Sequence, residues 1–267
     1  MTIALNFTKS LLAGAVLLPG AAFAQAPRLD VPYVPTPQSV VERMLDLGEV
    51  GKEDYVIDLG SGDGRIAIAA VKERSAKAAL GVDLNPERIR EAEENAKVAG
   101  VSNQVRFQQG DLFEAKLGDA TVITMYLLET VNAKLRPSLL ELKPGTRLVS
   151  HAFTMGDWEA DRREVVDGRN VYMWVVPAKV EGTWKVTDGA TSFTVDLDQN
   201  FQKLSGVATM DGKRVPLETA RLDGADIELV VGTGTQARTL KGRVDGTTIR
   251  PVASSGTDAG TWRAERG

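Results

Sequence analysis

Two kinds of hydrophobic pattern divide the 267-residue chain near residue 178. Before that point, short apolar runs alternate with segments whose apolar positions recur every three or four residues, which is the spacing of an amphipathic helix. After it the helical spacing disappears, and short runs of alternating apolar and polar residues follow one another between glycine turns. The first pattern predicts a parallel sheet with helices on both faces, and the second predicts a small antiparallel barrel or sandwich.

Six apolar runs of the first part are expected to be strands: YVIDLG, AALGVDLN, VRFQQGD, ATVITMYL, TRLVSHAF and VYMWVVP. Helices are expected over residues 66–74, 86–99 and 129–142, and another precedes the first strand, where Ser39 is a suitable N-cap. The run AKVEGTW at the boundary fits either a seventh strand of the sheet or the first strand of the barrel.

The second part of the chain contains roughly eight short strand-like runs. The tripeptide GTW occurs at residues 182–184 and again at 260–262, near both ends of this part. Pairing of the first and last strands would close a barrel and remove its edges. The repeated tripeptide resembles that of lipocalin-like barrels, which implies either a site for an apolar ligand or a module that serves stability and assembly alone.

The amino-terminal residues have the pattern of a secretory signal peptide. Lys9 is followed by an apolar run over residues 11–24 that ends in Ala-Phe-Ala, the small-x-small sequence before a cleavage site. A Pro-Gly pair inside the run argues against a buried helix, and the run is shorter than the ~20 residues of a membrane span. The expected division is a signal peptide over 1–24, a sheet domain over 25–177 and a barrel over 178–267.

Composition argues against several functional classes. The formal net charge is −4 and no basic block occurs, whereas a nucleic-acid partner usually leaves a basic footprint. The chain has no cysteine, which excludes disulfides, zinc–thiolate sites and cysteine nucleophiles. A single histidine, His151, is too few for a histidine-rich metal site, and no metal is expected.

The segment VIDLGSGDGRI, residues 56–66, places three glycines at alternate positions between a strand and a helix. Gly60, Gly62 and Gly64 permit a sharp turn and let a ligand lie against bare backbone, while the helix directs free N–H groups at it. An acid, Asp58, precedes the first glycine, and the spacing differs from the dinucleotide pattern G-x-G-x-x-G. A dinucleotide ligand is therefore disfavoured.

Two further acids end the next two predicted strands. Asp83 can accept hydrogen bonds from both hydroxyls of a ribose, and Asp111 can accept one from the amino group of a purine. Because the carboxyl ends of parallel strands meet at one edge of the sheet, we expect these acids and Asp58 to line a single crevice.

The segments VIDLGSGDGRI, GVDLNPE and VRFQQGDL resemble, in order and spacing, the first three motifs of class I S-adenosylmethionine (SAM) methyltransferases. The resemblance covers residues 33–177 and implies a Rossmann-like seven-stranded sheet with SAM as cofactor. SAM would lie over the glycine turn, with its ribose on Asp83 and its adenine near Asp111. The resemblance implies these cofactor-binding residues: Tyr33, Thr36, Asp58, Gly60, Ser61, Gly62, Gly64, Asp83, Asn85, Asp111 and Leu112.

Two other segments carry a finer resemblance. YVPTPQSVVERML and VSHAFTMGDW are similar to segments of the lysine methyltransferases that modify the membrane c-subunit of ATP synthase, and YVPT is also similar to non-SET histone lysine methyltransferases. This resemblance implies that residues 33–36 cover the cofactor. The alternative is a proline-rich linker.

The end of the fourth predicted strand bears on the methyl acceptor. Many N-methyltransferases carry [ND]-P-P-[YF] there, whereas this chain has TMYLL at residues 124–128. An amide acceptor is therefore disfavoured, and an amine such as a protein lysine remains open. A lysine needs a narrow aromatic channel, which Tyr126, Phe153 and Trp158 could line unless they are ordinary core aromatics. Tyr126 and His151 are the candidate catalytic residues, although a lone histidine that ends a strand is more often structural.

The sequence thus predicts a SAM-dependent methyltransferase that acts on an unidentified acceptor. The alternative is an exported binding protein without catalysis, built on a methyltransferase-like fold. Export conflicts with SAM synthesis in the cytoplasm. The conflict disappears if the amino-terminal segment remains as a membrane tether, if the start of the gene is assigned too early, or if SAM is not used. The expected location is periplasmic or exported, with a membrane-tethered or cytoplasmic protein as the alternative.

Overall fold

The computed structural model describes residues 33–234, 237–252 and 261–267. The predicted signal peptide, residues 1–24, lies outside the described residues, and its cleavage stays a prediction. Among the described residues, no helix is both long and apolar enough to cross a membrane.

The first part of the chain forms a seven-stranded sheet accompanied by four helices. Its elements in chain order are α1 (Gln38–Leu47), β1 (Tyr55–Leu59), α2 (Arg65–Arg74), β2 (Ala78–Asp83), α3 (Pro86–Ala99), β3 (Val105–Gln109), β4 (Val122–Met125), α4 (Glu129–Leu139), β5 (Arg147–His151), β6 (Arg162–Val166) and β7 (Arg169–Val175). The strand order is β3-β2-β1-β4-β5-β7-β6. The first five strands in that order are parallel. β7 runs antiparallel to β5, and the edge strand β6 runs antiparallel to β7. The predicted Rossmann-like seven-stranded sheet is thereby confirmed.

Two hydrophobic cores flank this sheet. One core joins α1, α2 and α3 to the sheet and includes Val41, Ala67 and Ala96. The other joins α4 and the segment after β5 to the sheet and includes Leu135 and Trp174. The central strands are buried throughout, as in β4, because both faces of a parallel sheet are covered.

The seventh strand is one that the hydrophobic pattern did not predict. β6 has the sequence RREVV and lies at the edge of the sheet, where none of its five residues is fully buried, so its charged side chains gave no strand signal. It joins β7 through a tight turn at Asp167 and Gly168, both of which have positive φ.

Two helix ends also differ from expectation. α1 follows Pro37, and the hydroxyl of Ser39 donates to Asp167 at 2.6 Å instead of capping the helix, while α4 ends at Leu139.

The second part of the chain forms a closed eight-stranded antiparallel barrel. Its strands are β8 (Gly182–Asp188), β9 (Thr191–Asn200), β10 (Lys203–Met210), β11 (Lys213–Asp223), β12 (Asp226–Val231), β13 (Arg238–Asp245), β14 (Thr248–Pro251) and β15 (Arg263–Arg266). Their order is β10-β11-β12-β13-β14-β15-β8-β9, so the last strand pairs with the first. The GTW run at the boundary therefore begins the barrel rather than extending the sheet.

Large apolar side chains fill the barrel. Trp184, Phe193, Leu229 and Trp262 are all buried in one cluster between its strands. A barrel of eight strands is only wide enough for such side chains or one small ligand. This interior is therefore a packed core.

Candidate active site

A cavity of about 280 Å³ opens where β1, β2 and β4 end. The strand order reverses between β1 and β4, which is the position where open α/β sheets bind ligands. The cavity is lined by Tyr33, Val34, Pro35, Thr36, Asp58, Gly60, Ser61, Gly62, Asp63, Arg65, Ile66, Asp83, Asn85, Arg88, Tyr126, Leu127, Leu128 and Phe153.

The three glycines of the turn between β1 and α2 have positive φ, and each allows a different close approach. A Cβ on Gly60 would lie 2.8 Å from Leu127, and one on Gly62 would lie 2.5 Å from the ring of Tyr33. A Cβ on Gly64 would instead lie 2.4 Å from Phe107, away from the cavity. The first two glycines therefore shape the cavity, and the third allows α2 to pack against the sheet.

The carboxylate of Asp83 is fixed by backbone groups. One oxygen accepts from the N–H of Gly62 and the other from the N–H of Asn85, each at 2.8 Å. The side chain of Asn85 in turn accepts from the N–H of Glu87 and caps α3. Each carboxylate oxygen keeps a second lone pair. Asp83 is thus preorganised to accept hydrogen bonds from two neighbouring ligand hydroxyls.

Asp58 is a buried carboxyl group at the end of β1. Its Oδ1 accepts from the hydroxyl of Thr124 at 2.7 Å, and its exposed fraction is 2 %. Burial raises the pKa of Asp58 to about 7, and the nearby carboxylates of Asp83 and Asp63 add to the rise. A positively charged ligand group in the cavity would stabilise the ionised form and lower this pKa.

Ser61 provides an unused hydrogen-bonding group in the wall of the cavity. Its hydroxyl oxygen is buried and has no partner within the described residues, while its backbone N–H donates to Val82 at 3.0 Å. A buried hydroxyl without a partner is unfavourable by about 1–3 kcal/mol. The hydroxyl of Ser61 therefore has a hydrogen bond still to make.

Residues 33–36, the cover segment, all line the cavity, and Tyr33 and Val34 in it are exposed. Arg65 donates to the carbonyl of Thr36 at 2.9 Å and also pairs with Asp63. The hydroxyl of Thr36 lies 3.2 Å from Nδ1 of His151. The guanidinium of Arg88 lies over the ring of Tyr33, 4.7 Å from its centre. These contacts make the segment part of the site rather than a linker.

Three aromatic rings form a cluster beside the cavity. The ring of Tyr126 lies 3.9 Å from that of His151 and 6.2 Å from that of Phe153, measured between centres. His151 has an exposed fraction of 1 %. Burial lowers its pKa to about 4, with a smaller effect from Arg169, so the ring is neutral at neutral pH. Tyr126 and Phe153 line the cavity, whereas His151 lies behind them.

A strained turn directs Phe153 toward the cavity. Ala152 has a φ of 68°, and the N–H of Phe153 donates to the carbonyl of His151 at 2.9 Å. A three-residue turn closed by such a hydrogen bond, with positive φ at its central residue, is a γ-turn of the rare type. The carbonyl of Phe153 is held by the hydroxyl of Ser150 at 2.7 Å and by the amide of Asn132 at 3.3 Å.

The structure brings most of the predicted site residues together, but five lie outside the lining of the cavity. They are Gly64, Asp111, Leu112, His151 and Trp158. Asp111 is exposed, and its Oδ1 accepts from the N–H of Phe113 at 2.9 Å, so its contact with a purine stays a prediction. Trp158 has no exposed surface and lies in the core, so of its two interpretations the ordinary core aromatic is the one that fits.

Sequence reasoning missed several wall residues, notably Arg65, Arg88 and Leu127. Arg88 follows the predicted N-terminus of α3 closely, and Arg65 follows the last glycine of the turn, so both positions were available signals. Leu127 carries no chemical signal, since its role is to approach Gly60. Within the part of the chain that the structure describes, no group of three or more metal-binding side chains is found.

Comparison with known proteins identifies the sheet domain. The ANTKMT methyltransferase domain matches residues 58–162. A protein named protein-lysine N-methyltransferase from Saccharolobus islandicus is 48% identical over 151 residues, which are 55% of this chain and 94% of that protein. The lysine N-methyltransferase of the ATP synthase c-subunit from Xenopus laevis is 30% identical over 135 residues, which are 50% of this chain and 58% of that protein.

A similar solved structure is described as an RNA methyltransferase from Salinibacter ruber in complex with S-adenosyl-L-homocysteine. It shares 51% identity with this chain at a TM-score of 0.54, over 55% of this chain and 96% of that one. The match therefore covers nearly the whole of the Salinibacter ruber structure and of the Saccharolobus islandicus protein, but only about half of this chain.

Proposed function

The chain belongs to the SAM-dependent methyltransferases of the ANTKMT-domain family, and on that premise we propose that it methylates a lysine side chain of a protein. The observation that carries the proposal is 48% identity with a protein-lysine N-methyltransferase across 94% of that protein. The relatives disagree about the acceptor, because the similar solved structure is named as an RNA methyltransferase. The enzyme is favoured over the exported binding protein without catalysis, which none of these relatives supports.

The residues of the cavity fit SAM. Its ribose hydroxyls match the fixed carboxylate of Asp83, and the free hydroxyl of Ser61 can bond to its polar groups. The ammonium and sulfonium charges of SAM match the buried carboxyl of Asp58. SAM supplies a methyl group already activated by the positive charge on sulfur. The protein's task is then to hold the acceptor in line with that methyl group and to exclude water.

One wall of the cavity, which includes Leu127 beside Gly60, suits a neutral amine. Tyr126, Leu127, Leu128 and Phe153 form an aromatic and aliphatic surface there. Lysine has an ordinary pKa of about 10.4, and desolvation against such a surface favours its neutral form, which is the nucleophile. His151 is a weak base because its pKa is about 4. We therefore assign it to the support of the Tyr126 ring, and the amine loses its proton to solvent as it enters.

Charge around the cavity favours a protein over RNA. Arg65 is paired with Asp63, and Arg88 lies on the ring of Tyr33, so both cations of the lining are already engaged within the protein. The whole chain carries a net charge of −4. RNA binding relies on neutralising phosphates with lysine and arginine.

A labelling experiment tests the proposal. Purified full-length protein is incubated with SAM that carries a radioactive methyl group, together with a ribonuclease-treated protein fraction or a protease-treated RNA fraction of the host cell. We expect label in protein, and in methylated lysine after acid hydrolysis. Label in RNA alone would overturn the choice of acceptor, and the Asp83→Ala variant provides the background.

The contribution of Asp83 can be measured without any acceptor. Asp83→Ala should weaken SAM binding by about ten- to a hundredfold, because hydrogen bonds to a charged group contribute ~1.5–3 kcal/mol. Isothermal titration calorimetry with the full-length protein measures this. Asp198→Ala, which removes an exposed acid of the barrel, is the control and should bind SAM normally. Equal affinities of the two variants would contradict the assignment of Asp83.

We further propose that the protein is exported or tethered by residues 1–24, in the pattern of a signal peptide. The supply of SAM is cytoplasmic, so a tether that keeps the enzyme on the cytoplasmic side would reconcile both features. Fusion of residues 1–30 to a reporter that is active only in the periplasm tests export. A silent reporter, with full-length protein in the cytoplasmic fraction, would contradict it.

A further inference from the structure

The segment between β5 and β6 connects the cavity to the barrel. Phe153, near its start, lies in the cavity wall, and Trp158, near its end, lies against the β9–β10 turn of the barrel. We propose that this turn, residues 201–202, is a positioning element that fixes the acceptor wall of the active site. The proposal deepens the proposed function and rests on it, because it concerns the wall that would hold the lysine.

Gln202 makes three hydrogen bonds to the connecting segment. Its side-chain oxygen accepts from the indole N–H of Trp158 at 3.0 Å. Its side-chain nitrogen donates to the carbonyl of Glu159 at 2.8 Å and to the carboxylate of Asp161 at 3.0 Å. One glutamine of the barrel therefore uses both ends of its amide on three residues of the sheet domain.

Phe201 holds the same segment by stacking. Its ring lies 5.6 Å from that of Trp158 at an interplanar angle of 16°. The guanidinium of Arg136 lies 5.4 Å from the centre of the Phe201 ring and donates to the carbonyl of Met155 at 2.8 Å. Phe201 has a φ of 55°, a conformation that is unfavourable for a bulky residue. Its backbone strain persists because the surrounding contacts fix it.

The connecting segment has little regular secondary structure of its own. Residues 152–161 are all described, and among them there is no helix and only an isolated bridge between Met155 and Trp158. One end is fixed by the strained turn at Ala152 and by Asn132, and the other by the barrel together with Trp174, whose indole N–H donates to the carbonyl of Trp158 at 2.9 Å. A segment held at both ends transmits the barrel's position to Phe153.

The described residues of the barrel add no side chain to the cavity lining. The influence of the barrel on the site is therefore indirect, through Trp158. The SAM side of the cavity is built by β1, β2 and the cover segment. By contrast, Phe201 and Gln202 join the β9–β10 turn to the connecting segment and to α4, through hydrogen bonds and ring contacts. The barrel should therefore affect the acceptor and leave SAM binding unchanged.

The test compares Gln202→Ala and Phe201→Ala with the wild-type, full-length protein. Both residues lie in a turn outside the barrel strands, so the barrel should still close. The control is Lys203→Ala, which removes the neighbouring ion pair with Glu159. That pair is exposed, and such pairs contribute little. Three measurements are made: amide hydrogen exchange over residues 152–160, SAM affinity by calorimetry, and the dependence of methylation on the concentration of the ribonuclease-treated protein fraction.

We expect exchange over residues 152–160 to quicken at least tenfold in both variants, while SAM affinity stays within twofold of the wild type. The half-saturating concentration of the protein fraction should rise at least fivefold, and Lys203→Ala should match the wild type in all three measurements. Unchanged exchange would overturn the inference, and so would a parallel loss of SAM affinity, which indicates general damage. If the wild-type enzyme labels no protein, the proposed function fails, while exchange and SAM affinity still decide whether the turn fixes this wall.

Discussion

The carboxyl group of Asp58 lies where its charge is unfavourable in the absence of a ligand. It is buried behind the glycine turn, its one strong hydrogen bond comes from Thr124, and two further carboxylates are near. Its folded pKa of about 7 exceeds the ordinary value of 3.8. Stability associated with this group is therefore fully present below pH 3.8 and is lost as the pH rises through 7.

Asp58→Asn should consequently stabilise the ligand-free protein and weaken SAM binding. Asparagine can still accept from Thr124, but it carries no charge to bury or to attract a cation. At pH 8 we expect a melting temperature several degrees above the wild type, since each pKa unit corresponds to about 1.4 kcal/mol. The difference should shrink as the pH falls from about 7 toward about 4. Scanning calorimetry with and without SAM measures both effects, and a destabilised variant at pH 8 would contradict the assignment.

At the scale of elements, the glycine turn is held by its neighbours as much as by its own conformation. Gly62 needs space for the ring of Tyr33, which belongs to a segment far away in the sequence. The spacing of the glycines predicted a close ligand approach, whereas the nearest atoms to a new Cβ on Gly62 belong to the cover segment. Gly62 thus allows the cover segment to lie on the turn.

Gly62→Ala should displace Tyr33 and weaken SAM binding at least tenfold. The matched control is Gly100→Ala, because Gly100 also has positive φ, 75° against 52°, yet has nothing within 4 Å of a new Cβ. Both variants carry a backbone strain of about 1 kcal/mol or more. They differ in the contact with Tyr33 and in the hydrogen bond that the N–H of Gly62 donates to Asp83. Titration calorimetry should find normal affinity in the control. Equal affinities would show that Tyr33 adjusts without consequence.

The elements that the sequence predicted are those with buried, regular patterns. β1 and β4 are apolar almost throughout because both of their faces are covered, and the barrel runs alternate because one face is solvated. β6 escaped prediction because an edge strand with charged side chains has no such pattern. In the site, the acids and glycines were visible from their chemistry, whereas the place of Trp158 depends on the packing of a remote turn. Local sequence does not encode that contact.

At the scale of the whole molecule, the barrel has its own core. Its buried cluster extends from Ala178 to Ala264 and includes Trp184 and Trp262. Its strands form a closed ring that needs no partner from the sheet. We propose that residues 178–267 are an independent domain.

A fragment of residues 178–267 should therefore fold alone. We expect a β-rich circular dichroism spectrum and a cooperative thermal transition, with fluorescence from Trp184 and Trp262 that is typical of buried indoles. The matched comparison is the full-length protein under the same conditions. A disordered spectrum would show that the barrel depends on its contacts with the sheet domain.

The closure of the barrel by its last strand sets the order in which the molecule can be completed. β15 pairs with β8, so the ring stays open until residues 263–266 are available. Such a distant pairing is slow to form relative to local contacts. The sheet domain has all of its strands long before that, and domains near the amino terminus generally fold first during synthesis. For an interval, the glycine turn and Asp83 are then in place while the segment from Ala152 to Ala160 lacks the contacts of Phe201 and Gln202. The nascent enzyme would therefore bind its cofactor before its acceptor wall is fixed.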